Sequence, residues 1–151
     1  MTPREILFKA KRKDNGEWVE GNYSYREWVN GVKKDIHFIH GATNEFHYYQ
    51  YEIDPATLSQ FTGMYDKEGR RIFENDIVKV SNLTPHESWD YTEVEGCVHW
   101  CAGAFEVLGE ENEDYTPYVW MHDCIQAYTL VIGNIFDNPE MIEEALNEKH
   151  G

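Results

Sequence analysis

The chain is poor in the residues that staple or anchor small proteins. It has three cysteines in 151 residues, Cys97, Cys101 and Cys124. An odd, sparse set is not a disulfide framework, and free thiols suit a reducing compartment. No apolar run approaches the roughly 20 residues that span a bilayer, and Met1 to Glu5 lacks the basic-then-apolar order of a secretory leader. A cytoplasmic protein is the expectation. Basic residues are scarce in one half only. Residues 1–80 hold twelve Lys/Arg against thirteen Asp/Glu, a balance of −1, whereas residues 81–151 hold Lys149 alone against fifteen, −14. The second half therefore repels nucleic acid and anionic membrane, and neither is expected as a direct partner.

Several chemical signatures are missing too. There is no glycine-rich phosphate loop, serine elbow or zinc-helix motif. The strongest cluster is Cys97, His99 and Cys101, whose alternate spacing puts three side chains on one face of a strand. His122 and Cys124 repeat that spacing later. If the two strands were neighbours, a zinc-like set could form. Structural zinc sites, however, use pairs with two to four residues between the cysteines, usually on turns that wrap the ion, so packing is the simpler reading. A cysteine nucleophile paired with His99 or His122 lacks the basic setting that lowers a thiol pKa. His37, His40 and His47 lie on or beside aromatic strands and read as hydrogen-bonded edge residues. Asp137 and Glu140 stabilise a helix start. No catalytic, cofactor-binding or metal-ligating residue is assigned.

What the chain does have is aromatics, 15% of residues, in alternating runs. Residues 4–11 alternate, with Ile6, Phe8 and Ala10 on one face. Asn15-Gly16 and Asn30-Gly31 are favoured type I′ hairpin pairs. Strands are predicted after each, and another over Phe46 to Ile53 with His47, Tyr49, Tyr51 and Ile53 on one side. Asp54-Pro55 predicts a short helical turn to about Gln60. Gly63 bends the next segment, Asp66 to Gly69 is a polar turn, and Glu74-Asn75-Asp76 feeds the strand 77–80. Residues 81–92 and 110–116 read as loops. Strands are predicted over 93–101, 104–108, 119–124 and 128–132. Asn138-Pro139 opens a predicted helix over 137–148, with Met141, Ile142, Ala145 and Leu146 as its apolar stripe. Trp18, Tyr23, Tyr25, Trp28, Tyr48, Tyr49 and Tyr51 could stack on single-stranded nucleic acid, but without a basic groove they read as sheet packing.

The fold expected is mainly β in a single domain. It comprises a meander over 1–53, an SH3-like partial barrel over about 60–135 within a core of 54–136, and a short C-terminal capping helix.

Three stretches carry a resemblance to one family. They are the opening Arg4 to Gly21, the central Gln60 to Val80 and the late Val131 to Glu140. Their order and spacing resemble the YopX-like proteins of phages and prophages. The central signature is an aromatic-Thr-Gly-Leu, an Asp-Lys-x-Gly turn, then aromatic-Glu-Gly-Asp-Ile-Val. Asn75 stands where that pattern has Gly, and Asn is the side chain that best tolerates a left-handed backbone. The resemblance implies a phage or prophage origin and a β-rich fold. It supplies no catalytic residue. The functional expectation is a non-enzymatic accessory protein, acting by protein–protein contact and self-assembling, with a host protein as a possible partner. The alternatives are an acidic decoy of a host DNA-binding protein and, third, an enzyme of unknown type.

Overall fold

The computed structural model describes residues 3, 5–81, 93–109, 118–120 and 123–141. The predicted loops 82–92 and 110–116 and residues 142–148 of the predicted helix lie outside the described residues. The protein is mainly β, with eleven strands among the described residues and no α-helix among its elements. It divides into two compact units, Met1–Phe61 and Thr62–Gly151.

The first unit contains β1 (Phe8–Lys11), β2 (Trp18–Val29), β3 (Val32–Asn44) and β4 (His47–Glu52). They form an antiparallel sheet in the order β4-β3-β2-β1. On the other side of β1 lies the start of β5 (Ser59–Tyr65), through Phe8 with Gln60 and Lys9 with Ser59. The sheet curls until its ends meet. Ile53, just past β4, bridges Arg12 just past β1. Lys13 N donates to Glu52 O at 3.0 Å and Asp54 N to Lys11 O at 2.9 Å. Inside this closed end sit Ala10, Ile39 and Ile53, flanked by Phe8, Val19, Tyr23, Tyr49 and Leu58. Closure is what lets so small a sheet bury a core, since an open hairpin sheet has nothing to pack against.

Two glycines make the curl possible. The ring of Tyr49 crosses Gly41, its partner on β3, and reaches Gly21 on β2, where its hydroxyl donates to Glu20 O at 2.6 Å. A Cβ on either glycine would overlap that hydroxyl. The ring thus covers the space two side chains would have filled.

The turns follow local chemistry. Asn30 and Gly31 have φ of 51° and 78° between the paired Val29 and Val32, the two-residue turn the sequence predicts. Asn15-Gly16 differs: only Gly16 is left-handed, at 72°. Arg12 N donates to Glu17 O and Gly16 N to Arg12 O, each at 2.9 Å, making a four-residue loop. Asn15 Oδ1 accepts from Glu17 N and fixes that wider turn instead of a type I′ pair. The predicted helical turn is one 3-10 turn, Pro55–Thr57, capped by the Asp54 carboxylate on Ala56 N. It stops short of Gln60 because Ser59 and Gln60 already pair with β1.

The second unit holds the rest of β5, then β6 (Arg71–Phe73), β7 (Asp76–Val80), β8 (Val94–Cys101), β9 (Ala104–Gly109), β10 (Tyr118–Trp120) and β11 (Thr129–Asn134). Five form an antiparallel sheet in the order β10-β9-β8-β7-β11. Alternation gives its core: Val78, Val80, Val98 and Val107 are fully buried, joined by Met64, Ile72, Val94 and Phe105. Each such side chain contributes about 1.5–3 kcal/mol of transfer free energy. Residues 123–128 form a 3-10 turn rather than continuing a strand to Cys124. The helix predicted over 137–148 is not supported. Glu140 and Met141 are helical, and the rest of the predicted segment lies outside the described residues; Asn138 Oδ1 accepts from Asn134 N at 3.2 Å, turning back to β11, and Met141 N donates to Asn138 O at 3.1 Å.

Between β8 and β9, Ala102 has φ 49° and Gly103 88° in another two-residue turn. Ala pays a steric cost there that Asn largely avoids. Ala102→Asn, at an exposed site, is expected to raise unfolding free energy by about 0.5–1 kcal/mol, read as a higher urea midpoint at unchanged slope.

Candidate functional site

The aromatic set of the first unit divides between the two faces of its sheet. On the concave face, Tyr23 shares a 2.6 Å hydrogen bond with His37 Nδ1, and the Tyr25 ring lies 4.8 Å from the His37 ring. Tyr25 donates to Asp35 Oδ1 at 2.5 Å. That bond, with desolvation next, pushes the Tyr25 phenol up to about 12. Asp35 reaches the ring because it is left-handed, φ 47°, where β2 and β3 slip register between Arg26 and Trp28. Arg12 lies 3.7 Å over the Tyr51 ring. Tyr23 and Tyr51 are the sheet packing the sequence predicts, as is Trp18 under Lys9, while Tyr25, beside His37, is 48% exposed.

The convex face differs. Strand alternation puts Ser24, Arg26 and Trp28 of β2 there, with Phe38 and His40 of β3 and Tyr48 of β4. Arg26 covers Phe38 at 5.4 Å. Trp28 is 59% exposed and Tyr48 80%, while Phe46 in the β3–β4 turn is 84% exposed. Trp28 lies opposite Lys33 and Tyr48 opposite Ala42, at the two ends of β3, so Trp28 is exposed singly, which is ordinary, whereas Tyr48 and Phe46 are exposed together at the β3–β4 end of the sheet. The expectation that Trp28 and Tyr48 pack within the sheet is thus corrected: neither faces the closed end. His47 donates from Nδ1 to Asn44 Oδ1 at 2.9 Å, a hydrogen-bonded residue on the edge strand, whereas His37 sits on the interior strand β3.

The cysteine–histidine strand can be placed as well. Cys97, His99 and Cys101 do share one face of β8, opposite Val94 and Val98. The second half of the proposed set does not join them. β9 separates β8 from β10, Cys124 lies in the 3-10 turn, and His122 is outside the described residues. Among the described residues no three His, Cys, Asp or Glu side chains are grouped to hold a metal ion. His99 instead meets Glu106 of β9, Nε2 to Oε1 2.6 Å, its cross-strand partner. Glu106 is buried at 7% exposure and was not singled out by sequence. Its signal was a carboxylate between Phe105 and Val107 in an apolar strand. The Cys97 thiol is pushed up to about 11, by burial first and then by the charges of Asp76 and Glu74. It is a protonated thiol at neutral pH, the opposite of an activated nucleophile.

The signature turn holds the most demanding group of the second unit. Asp66 is 1% exposed. Its Oδ1 accepts from Glu68 N and Arg70 N, each at 2.9 Å; its Oδ2 accepts from Arg70 Nε at 3.0 Å and Val131 N at 3.1 Å. Burial raises its pKa, but the backbone donors of Arg70, Val131 and Glu68 and the Arg70 side chain outweigh it and hold the carboxyl below its ordinary value. An open cleft of about 660 Å³ lies beside it, lined by Asp66, Lys67, Gly69, Gln126 and Ala127. Both carboxylate oxygens already accept two bonds each, so Asp66 fastens the turn to β11 and has no acceptor capacity left for a ligand. Asn75, in the second signature turn, has φ 71°, as the missing glycine requires.

Two outcomes follow. Asp66→Asn turns one oxygen into a donor facing donors and is expected to cost about 2–3 kcal/mol at pH 7. Because the folded pKa is depressed, the wild-type advantage is complete above the unfolded value near 4 and is lost as pH falls through the folded value. Urea titrations of both proteins between neutral and acid pH should show the gap closing. In native protein, exposed Cys101 should react with a thiol reagent at least about tenfold faster than half-buried Cys97. Mass mapping of the early adduct checks this, and equal labelling would refute the protected-thiol geometry.

Comparison with known proteins then bears on identity. No curated protein matches the chain. A crystal structure of protein EF1440 from Enterococcus faecalis is similar at 19% identity, over 93% of this chain and 99% of that one, with a TM-score of 0.40. The family model described as YopX protein matches residues 7–143, a span holding the central and late signature motifs and most of the opening one, and the chain belongs to the YopX family.

Proposed function

We propose that this YopX-family chain is a phage or prophage accessory protein that works in the host cytoplasm by protein–protein contact. It assembles with copies of itself and performs no catalysis. The observation that carries this reading is the β3–β4 end of the first unit's sheet, where Tyr48 and Phe46 stand 80% and 84% exposed, with Trp28, 59% exposed, at the other end of β3. Aromatic side chains bring large contact area at small entropic cost, which is why they anchor interfaces. In the second unit, the meander β7–β10 followed by a 3-10 turn and the return of β11 to β7 supports an SH3-like partial barrel, a scaffold role rather than a reaction vessel. The groups with unusual chemistry there are internally committed: Asp66 to four donors and Glu106 to His99.

Association through an apolar face survives salt, whereas contact between exposed charges fades once screening shortens their reach to about 8 Å near 0.15 M. Light scattering of the wild type should therefore give a mass above the monomer at both about 0.05 M and about 0.5 M salt. The Trp28→Ser, Tyr48→Ser double variant should dissociate at least about tenfold more readily. A monomer at every salt and at high concentration would overturn the reading. Steeply salt-dependent capture of a basic DNA-binding protein by that monomer would establish the acidic decoy instead.

A further inference from the structure

The edge of β4 has an unusual distribution of open main-chain groups. The β3–β4 register pairs Phe38 with Glu52, His40 with Gln50 and Ala42 with Tyr48. Ile53 N donates to His37 O at 3.0 Å, so Ile53 points its main chain into the sheet. Alternation then turns Tyr51 and Tyr49 inward and Glu52, Gln50 and Tyr48 outward. The Glu52 carbonyl confirms the phase, because it accepts from Lys13 N at 3.0 Å on the outer side. The curl of the sheet thus takes the outer carbonyl of Glu52 and leaves the edge open at Gln50 and Tyr48. There, two N–H groups and two carbonyls have no main-chain partner among the described residues.

Protected edges carry lysine, proline or a bulge within the strand. β4, His-Tyr-Tyr-Gln-Tyr-Glu, has no lysine or proline, and the bulge in its ladder is on β3, between Ala42 and Asn44 opposite Tyr48 and His47. Both flanking outward residues are exposed, Tyr48 at 80%.

We propose that a second copy of this chain occupies this edge, β4 against β4 antiparallel about a two-fold axis at Tyr49. This names the surface of the self-assembly proposed above and rests on it. Symmetry and pleat select the register. Residues opposite one another must share a face, so the axis passes through a residue. An axis at Gln50 would set Tyr48 against Glu52, whose carbonyl is already taken. An axis at Tyr49 sets Tyr48 against Gln50 of the second copy, and Gln50 against Tyr48. All four open groups of each copy are then used, in four bonds. Tyr49 meets its own copy at a close pair with room for it, because its ring folds back over Gly41. Continuing the register carries the β3–β4 turn, with exposed Glu45, to the end of the second copy where Lys13 pairs with Glu52 at 3.3 Å. The exposed Tyr48 side chains of both copies then lie on one face beside the seam.

The amides themselves report the test. In assembled wild type, hydrogen exchange at Tyr48 N–H and Gln50 N–H should slow by at least about tenfold relative to dilute, monomeric protein. Gln50→Pro removes an outward donor without touching the β3 ladder and should shift the protein to monomer with its far-ultraviolet spectrum retained. An assembled protein whose Tyr48 and Gln50 amides exchange as fast as in the monomer would overturn the edge register while leaving self-assembly through the aromatic face standing. The exchange result decides this even if the proline variant fails to fold. A monomeric wild type would overturn both.

Discussion

With no α-helix among the described elements, this chain must satisfy its main-chain N–H and C=O groups from strand to strand, and wherever it turns something else must serve. The substitute is nearly always an Asp or Asn side chain. Asn15 accepts from Glu17 N, Asn44 from Phe46 N and His47 N, Asp54 from Ala56 N. Asp66 takes Glu68 N, Arg70 N and Val131 N, and Asp76 takes Phe73 N. Asn134 takes Phe136 N and Asp137 N, while Asn138 takes Asn134 N. These short side chains mimic a main-chain acceptor two or three residues on. Asp54, Asp66 and Asp76 are thus turn hardware, and Asp66 and Asp76 are buried. They contribute formal charge without contributing to an acidic face.

That division explains what was legible in the sequence. Asn30-Gly31 declared its hairpin because both positions tolerate left-handed angles, and Asn75 kept a glycine's turn for the same reason. The alternation of Val78, Val80, Val94 and Val98 declared the second core. The Asn138 side chain reads as a helix cap in the sequence, whereas its Oδ1 accepts from Asn134 N, a donor earlier in the chain. Asn15-Gly16 was misread, since Glu17 N claims the Asn15 side chain.

The interaction surface was less legible, for a different reason. Period-two patterning tells which residues share a face but not which face the sheet curls around. Tyr23 and Trp28 look equivalent in sequence, yet one lines the closed end and the other is 59% exposed. The chemistry of β8 shows the same limit. Cys97, His99 and Cys101 share a face as their spacing requires, but strand order puts β9 next to them, and with it Glu106 rather than the later cysteine.

The ring of Tyr49 over Gly41 and Gly21 has an evolutionary consequence. Three positions on three strands are tied by one volume. A relative that gains a side chain at position 41 must give up the aromatic ring at position 49 and find another donor for the carbonyl that Glu20 presents, while at position 21 the His40 carbonyl bars a side chain as well. Drift at these sites is therefore joint or forbidden. Across the family the three positions should vary as a unit, with tight curvature in lineages that keep the trio and a flatter sheet in lineages that lose it.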